Sequence, residues 1–315
     1  MEQTAVEKKF GKYVMASMIT MFLQSAYSMI DGLFVSNLIG DTALSAVNVA
    51  WPIIAVVTAI GTGVGCGGAV MMSTKQGEGK NEESNIVRAN VILALLASSI
   101  VVTILFLILL TPLLKLMGAE GELLRLSQIY GRVMLTGGVL QILSCGLTPL
   151  LRNDNRAVSA MMIMVGGLFA NLGLDFVFMY VFHMGIGGAA GASLCAQLFT
   201  TVCCLMILCT KKTDPIHLSQ FMIRKEYWKK IFKTAVSPFG ISLTPSLLIL
   251  YHNVACLKFG GDLAVNAYAL ISSTVGSYRV LLIGVAEGIQ PLASYAYGAH
   301  DFHAIRKIRN KAVIT

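Results

Sequence analysis

The sequence from residue 89 to residue 114, ANVILALLASSIVVTILFLILLTPLL, decides the fold class of this protein. No Asp, Glu, Lys or Arg occurs between Arg88 and Lys115. The hydrocarbon core of a bilayer is about 30 Å thick, and a helix needs about 20 apolar residues to cross it. A membrane β-strand needs only about 10 residues of alternating polarity, and this stretch does not alternate. The stretch therefore predicts a transmembrane helix.

The composition of the whole chain agrees with a membrane protein. The 315 residues are 56% hydrophobic and 13% charged, and the mean hydropathy is +0.73. Average soluble domains contain about 25% charged residues, so the composition excludes an ordinary globular enzyme and a disordered chain. The 7 cysteines all lie in apolar stretches, with neither zinc-type spacing nor a disulfide framework. We expect them to be packing residues.

Similar apolar windows predict an all-α polytopic bundle of eight spans, followed by the start of a ninth. The predicted spans are 13–35, 46–72, 87–111, 126–148, 158–181, 187–209, 233–257 and 264–292. They divide the chain into a cytoplasmic N-terminus (1–12), an N-lobe (13–210), a cytoplasmic interfacial linker (211–232) and a partial C-lobe (233–315). The linker mixes Tyr227 and Trp228 with paired lysines, which favours an amphipathic helix at the membrane surface over a charged loop.

Positive charge is concentrated on one side of these spans. With the N-terminus inside, nineteen Lys and Arg residues lie in cytoplasmic segments and four lie in external ones. This asymmetry follows the positive-inside rule, so it predicts a multi-pass protein of the inner (plasma) membrane with a cytoplasmic N-terminus. It also accounts for the net charge of +8 without nucleic acid as a partner.

The first two spans recur in the last two at a constant offset of 221 residues. This offset places Gly63, Gly67 and Gly77 on Gly284, Gly288 and Gly298, and it also relates Asp41 to Asp262, Ala43 to Ala264, Ala46 to Ala267 and Ser73 to Ser294. An even number of spans separates the copies, so both run in the same direction. The repeat predicts two lobes related by a pseudo-twofold axis along the membrane normal, with a cavity between them. A complete second copy would extend to about residue 430, so we expect one complete lobe and a truncated second one.

Two motifs are not expected to carry chemistry. Gly63, Gly65 and Gly68 match the dinucleotide fingerprint, but they lie inside an apolar span instead of between a strand and a helix, so they predict close helix packing. His300 and His303 fall in a polar linker without a further ligand nearby, and we expect a solvated pair instead of a metal site. Because no span carries a nucleophile motif or a metal-binding motif, neither an enzyme nor a cofactor is expected.

The more informative ionisable or titratable side chains within the predicted spans are Asp31, Asp175, His252, Arg279 and Glu287. A charged residue at the bilayer centre costs about 3 kcal/mol on insertion scales, so such a residue is by default a functional candidate. Glu287 lies near the cytoplasmic end of its span, where a structural ion pair is the favoured interpretation.

Oxygen-bearing side chains on three predicted helices lie at one depth. Asp31, Asp175 and Ser193 are each roughly 6–9 Å from the external end of their spans, and Asn171 shares a helix face with Asp175. Carboxylate, carboxamide and hydroxyl oxygens are hard ligands that suit a proton or a small cation such as sodium. The pattern predicts a cation-coupling site, the alternative being polar contacts that hold helices together.

Other polar residues are candidates for substrate contact or gating. These are Gln24, Gln197, His252 and Arg279. Gln197 shares a helix face with Ser193. The offset of 221 places His252 opposite Asp31, so the second lobe has a non-acidic group where the first has an aspartate. This asymmetry suggests that the coupling ion binds in the first lobe.

Several segments resemble the multidrug and toxic compound extrusion (MATE) family. They are residues 30–32 (IDG), 75–80 (KQGEGK), 151–153 (LRN), 171–175 (NLGLD), 288–292 (GIQPL) and 297–299 (YGA). The resemblance implies an antiporter of two six-helix lobes that exports amphipathic, often cationic compounds in exchange for protons or sodium ions. It also implies a small-molecule substrate and a monomer in the bilayer.

Within this family the resemblance is to the DinF-like branch, whose N-lobe cation cluster falls here on Asp31, Asn171, Asp175 and Ser193. The NorM-like branch uses an acid on the seventh helix, where this chain has His252 and Asn253. Some relatives bend the first helix at a proline, but no proline occurs between Lys12 and Gly40. A lipid or lipid-linked oligosaccharide flippase of the same superfamily remains the alternative function, and a receptor or scaffold is a further one.

Overall fold

The structure is a computed structural model that describes the backbone of residues 3–209, 220 and 223–315. The helices in this part of the chain are α1 (Gln3–Ile39), α2 (Asp41–Gly77), α3 (Asn81–Leu116), α4 (Gly121–Thr136), α5 (Gly138–Leu151), α6 (Ala157–Asp175), α7 (Gly185–Cys209), α8 (Lys225–Gly298) and α9 (Phe302–Ile314). Short π-helical segments cover Arg152–Arg156, between α5 and α6, and Phe176–Val181, after α6. The predicted all-α membrane architecture is confirmed.

Apolar helices of spanning length occur in the first lobe, where six of the eight predicted spans lie. Among the described residues, five stretches are long and apolar enough to cross a membrane: Lys9–Ile39, Asp41–Gly77, Asn81–Leu116, Gly138–Val181 and Gly185–Cys209. The predicted fourth span, 126–148, is divided into α4 and α5. The backbone leaves the helical conformation at Gly137 (φ −89°, ψ 13°), a residue type that weakens helix interiors.

The helical segment α8 folds back on itself. A straight helix of its 74 residues would be about 110 Å long. The rings of His252 and Tyr268 nevertheless stack with their centroids 5.0 Å apart, whereas a straight helix would separate these positions by about 24 Å. The chain therefore reverses between them. We call the part before His252 the first arm and the part after Tyr268 the second arm; they correspond to the predicted spans 233–257 and 264–292.

Helix α2 lies at the centre of the N-lobe because its glycines let another backbone come close. A Cβ atom added at Gly65 would lie 2.3 Å from the carbonyl oxygen of Gly146 in α5. One added at Gly61 would lie 2.7 Å from the carbonyl oxygen of Ile142. Such approaches are possible only without a side chain, which is how small residues pack membrane helices.

Contacts between α2 and the first arm recur between the second arm and α1. Gly67 packs against the backbone of Ala235, and Gly288 packs against that of Val14. The offset of 221 exchanges these two contacts, since it relates Gly67 to Gly288 and Val14 to Ala235. It also exchanges Gly63–Phe239 with Gly284–Met18, and Gly77–Tyr295 with Gly298–Thr74. Reciprocal contacts of this kind are produced by a twofold axis.

These contacts belong to one end of the bundle, which we call the basic end. It contains the turn between α2 and α3 (residues 78–80), the segment Arg152–Arg156, and α9. Buried apolar residues of α1, the second arm and α9 form a small core there, including Phe10, Val14, Val285, Leu292 and Ile308. Away from this end, many described side chains of α8 between Ile241 and Leu282 are exposed. In the part of the chain that the structure describes, the lobes therefore meet chiefly at the basic end.

Half of the predicted interfacial linker, residues 211–219 and 221–222, lies outside the described residues. Residues in the remaining part of the linker pack on the N-lobe. The buried apolar residues of the N-lobe form its main core, and Ile231 of the first arm belongs to this core. Tyr227 and Trp228 pack against it. The backbone N–H of Arg224 donates a hydrogen bond to Oδ1 of Asn90 in α3, at 3.1 Å. These contacts fix the start of α8 to the first lobe.

Candidate functional site

A buried carboxylate and a buried carboxamide lie one helical turn apart on α6. Asp175 is 0% exposed and Asn171 is 6% exposed. Nδ2 of Asn171 donates a hydrogen bond to Oδ2 of Asp175 at 2.9 Å. The predicted shared helix face of these two residues is thus present. The bond orients the carboxylate.

Asp31 presents a second carboxylate from α1. Its Oδ1 atom is buried and has no hydrogen-bond partner among the described residues. Helix α1 continues to Ile39, so Asp31 lies about 12 Å from the end of its helix, deeper than the sequence predicts. A buried acceptor in this situation favours a proton or a cation, because an unpaired charge in an apolar environment is costly.

Tyr130 of α4 is a buried side chain within electrostatic range of both carboxylates. Its side chain is 4% exposed, and the charges of Asp31 and Asp175 both act on its hydroxyl group. The sequence does not predict Tyr130 as a site residue, because a tyrosine ring is compatible with an apolar span. The available signal was its position on the buried face of α4, one turn from Ser127 and from Met134.

Ser193 and Gln197 lie on α7, which packs against α4 and α6. Both side chains are half-buried. The Oε1 atom of Gln197 is buried without a hydrogen-bond partner among the described residues. The two residues keep their predicted common helix face, and Gln197 adds a carboxamide acceptor to this lobe.

The remaining predicted residues lie outside the buried cluster. Gln24, His252 and Arg279 are exposed among the described residues. A ring nitrogen of His252, Nδ1, lies 2.8 Å from the carbonyl oxygen of Leu248, and the ring stacks on Tyr268. Glu287 forms an ion pair with Arg152, so the favoured structural partner exists.

The oxygen atoms of this cluster fit a small cation or a proton. The N-lobe holds two carboxylates whose charges both act on Tyr130, with a carboxamide hydrogen-bonded to one of them, and hard cations prefer such oxygen ligands. Among the described residues, no group of three or more His, Cys, Asp and Glu side chains is arranged to hold a metal ion.

The family model described as MatE matches residues 16–177, more than half of the chain. This chain belongs to the MatE family. Its matched region contains Asp31, Tyr130, Asn171 and Asp175 and ends before Ser193. Membership agrees with the predicted resemblance, which rested on short segments spread over both lobes.

Individual relatives show the same likeness. The multidrug export protein MepA of Staphylococcus saprophyticus is 24% identical over 298 residues, which cover 94% of this chain and 66% of the relative. The chain thus spans about two thirds of the length of this curated relative. A solved outward-facing multidrug resistance MATE transporter is 26% identical with a TM-score of 0.91, covering 98% of this chain and 68% of that one.

A second solved structure has the same fold, but its description suggests a different function. It is a MOP superfamily transporter from Pyrococcus furiosus, described as having a binding pocket of reverse polarity that suggests a different function. It is 26% identical with a TM-score of 0.91, and the match covers 98% of this chain and 68% of that one. The fold is therefore shared by relatives whose described functions differ.

Proposed function

We propose that this MatE protein is a secondary active antiporter that exports amphipathic, cationic compounds in exchange for protons or sodium ions. The observation that carries the proposal is the buried Asn171–Asp175 pair beside Asp31 in a membrane bundle. Ionisable groups in this setting are costly and mark ion pathways. The name of the relative MepA, a multidrug export protein, supports the same class of substrate.

The proposed orientation places the basic end in the cytoplasm, in agreement with the positive-inside rule. In the outward-facing state, Asp31 and Asp175 would take up a cation from outside. Cation binding would weaken drug binding and favour the inward-facing state, and linkage requires the drug to weaken cation binding equally. One charge moving down 100 mV supplies about 2.3 kcal/mol, enough for an approximately 50-fold gradient of a neutral drug at one-to-one coupling. One-to-one exchange with a monovalent cationic drug moves no net charge, so the concentration gradient of the coupling ion alone drives that export.

The experiment is ethidium efflux from cells that express the full natural protein, measured with and without sodium and with a protonophore. Loss of efflux without sodium would assign sodium as the coupling ion, and loss with the protonophore would assign the proton. Transport of a lipid-linked oligosaccharide in vesicles without ethidium efflux would overturn the proposal in favour of the flippase.

Tyr130→Phe is expected to reduce efflux by about threefold to tenfold and to shift its dependence on sodium or pH. The change removes a hydroxyl group on which both carboxylates act, while it keeps the ring that fills the buried site. Efflux rates measured over a range of sodium concentrations and pH values check this. The control is Tyr180→Phe, because Tyr180 is 55% exposed. An unchanged ion dependence in Tyr130→Phe would remove Tyr130 from the site.

A further inference from the structure

An ion pair joins the two lobes at the basic end. Arg152 follows α5 in the first lobe, and Glu287 lies on the second arm of α8. Nη1 of Arg152 donates to Oε2 of Glu287, and the two side chains are 7% and 25% exposed. The other five ion pairs formed between two described residues connect groups within the first lobe.

The pair lies close to the pseudo-twofold axis. The offset of 221 relates Glu287 to Cys66 of α2. The charges of Arg152 and Glu287 both act on the thiol of Cys66, so Cys66 lies within electrostatic range of the ion pair. Residues related by a twofold axis come close together only near that axis. The ion pair is therefore central to the contact between the lobes, and the second lobe alone supplies an acid there.

Arg152 is held in place by the first lobe. Asp154 lies two positions after Arg152 in the same segment. Its carboxylate accepts hydrogen bonds from Nε2 of Gln76 at 3.1 Å and from Nη1 of Arg88 at 3.5 Å. The following Asn155 adopts a left-handed conformation with φ 60°, and its Oδ1 accepts a hydrogen bond from Tyr13 of α1 at 3.3 Å. These hydrogen bonds attach the segment Arg152–Arg156 to the first lobe. Separation of the lobes would therefore separate Arg152 from Glu287.

Formation of the Arg152–Glu287 pair removes two charged groups from water, which has a cost in free energy. Nε of Arg152 is buried without a hydrogen-bond partner among the described residues, so Glu287 offsets only part of the cost of removing the guanidinium from water. Opening of the basic end would rehydrate both groups and return that cost. An interaction of this kind can bias a two-state equilibrium without locking it.

We infer that the Arg152–Glu287 ion pair holds the basic end of the two lobes closed and is broken in each transport cycle. The inference rests on the proposed function, since alternating access requires this end to open. The neighbouring contacts, from the Ser73 hydroxyl to the Pro291 carbonyl oxygen at 3.2 Å and from the Thr74 hydroxyl to the Ser294 carbonyl oxygen at 3.4 Å, are neutral. The Arg152–Glu287 pair adds a charged interaction to these neutral ones.

The test measures the distance between the lobes. Spin labels are placed at Lys80 in the turn after α2 and at His303 in α9, two exposed positions, in a background whose native cysteines are replaced. Pulsed electron resonance then gives the populations of short and long distances in the full protein in lipid nanodiscs. Glu287→Gln is expected to raise the open population relative to the closed one by about fivefold.

The charge swap Arg152→Glu with Glu287→Arg should return the populations to within about twofold of the unsubstituted protein, because the pair is restored in reverse. The matched control is Glu83→Gln, which removes a carboxylate that pairs with Lys75 inside the first lobe at 2.9 Å. It should leave the distances unchanged.

An unchanged distance distribution in Glu287→Gln would overturn the inference. Opening in Glu287→Gln without restoration by the swap would assign the effect to another contact of Glu287 and would also overturn it. The readout needs no transport. If Glu287→Gln opens the basic end and the swap closes it, but the unsubstituted protein exports no ethidium, the proposed function fails while closure by the ion pair stands.

Discussion

Asp175→Asn is expected to abolish ion-driven ethidium efflux, with a loss of at least about tenfold, while the protein still folds. Asparagine has nearly the same shape as aspartate, and its amide oxygen can accept the hydrogen bond that Nδ2 of Asn171 now donates at 2.9 Å. The amide cannot take up a proton, and it offers a cation a dipole instead of a charge. The substitution therefore removes the coupling chemistry with little change in packing.

Asp41→Asn is the matched control for this substitution. Asp41 is an exposed aspartate at the start of α2, where its Oδ1 accepts a hydrogen bond from Ser36 at 2.8 Å. We expect normal efflux in this variant. Efflux and the amount of protein in the membrane are measured together for both substitutions. Efflux by Asp175→Asn within about twofold of the unsubstituted protein, at equal expression, would show that Asp175 is not the coupling residue.

Gly65→Ala is expected to give a large loss of stability. The new Cβ atom would lie 2.3 Å from the carbonyl oxygen of Gly146 and 2.4 Å from its Cα atom. Both are backbone atoms, so no side chain can rotate away, and α2 and α5 must move apart. Overpacking typically costs about 1–3 kcal/mol, and we expect a fall in Tm of at least about 5 °C in detergent.

The control for this prediction is Gly276→Ala in the second arm. A Cβ atom at Gly276 meets nothing within 4 Å, and alanine favours the helix. The Tm of this variant should be unchanged or slightly higher. A thermal unfolding scan of the purified protein measures both. Equal Tm values for the two variants would mean that α2 and α5 are not packed as closely as the structure places them.

The sequence predicts most of the architecture, because the length of each apolar segment and the charge of its flanking residues can be read from that segment alone. It places the spans that became α1, α2, α3, α6 and α7. It does not predict the division of 126–148 at Gly137, since glycine is common in membrane helices and its effect depends on the neighbours. Gly138, the next residue, faces Thr103 of α3 at a distance that leaves no room for a Cβ atom.

The candidate site was partly predictable for a similar reason. Asp31, Asn171 and Asp175 stand out because an ionisable or strongly polar group in an apolar span is rare and costly. Tyr130 does not stand out, because its ring is compatible with lipid and only the packing of α4 brings its hydroxyl group near both carboxylates. The sequence also does not predict the partner of Glu287, because Arg152 lies 135 residues away, in the segment that follows α5.

The sequence alone determined that this is a helical membrane protein, that its first two helices are duplicated at an offset of 221, and which acids are unusual. These properties follow from composition and spacing along the chain. Only the tertiary structure decided which residues meet: that Gly67 and Ala235 are exchanged with Gly288 and Val14 by the pseudo-twofold axis, and that Arg152 pairs with Glu287 across it. Contacts between segments distant in sequence depend on how helix backbones approach one another, and no local pattern encodes that distance.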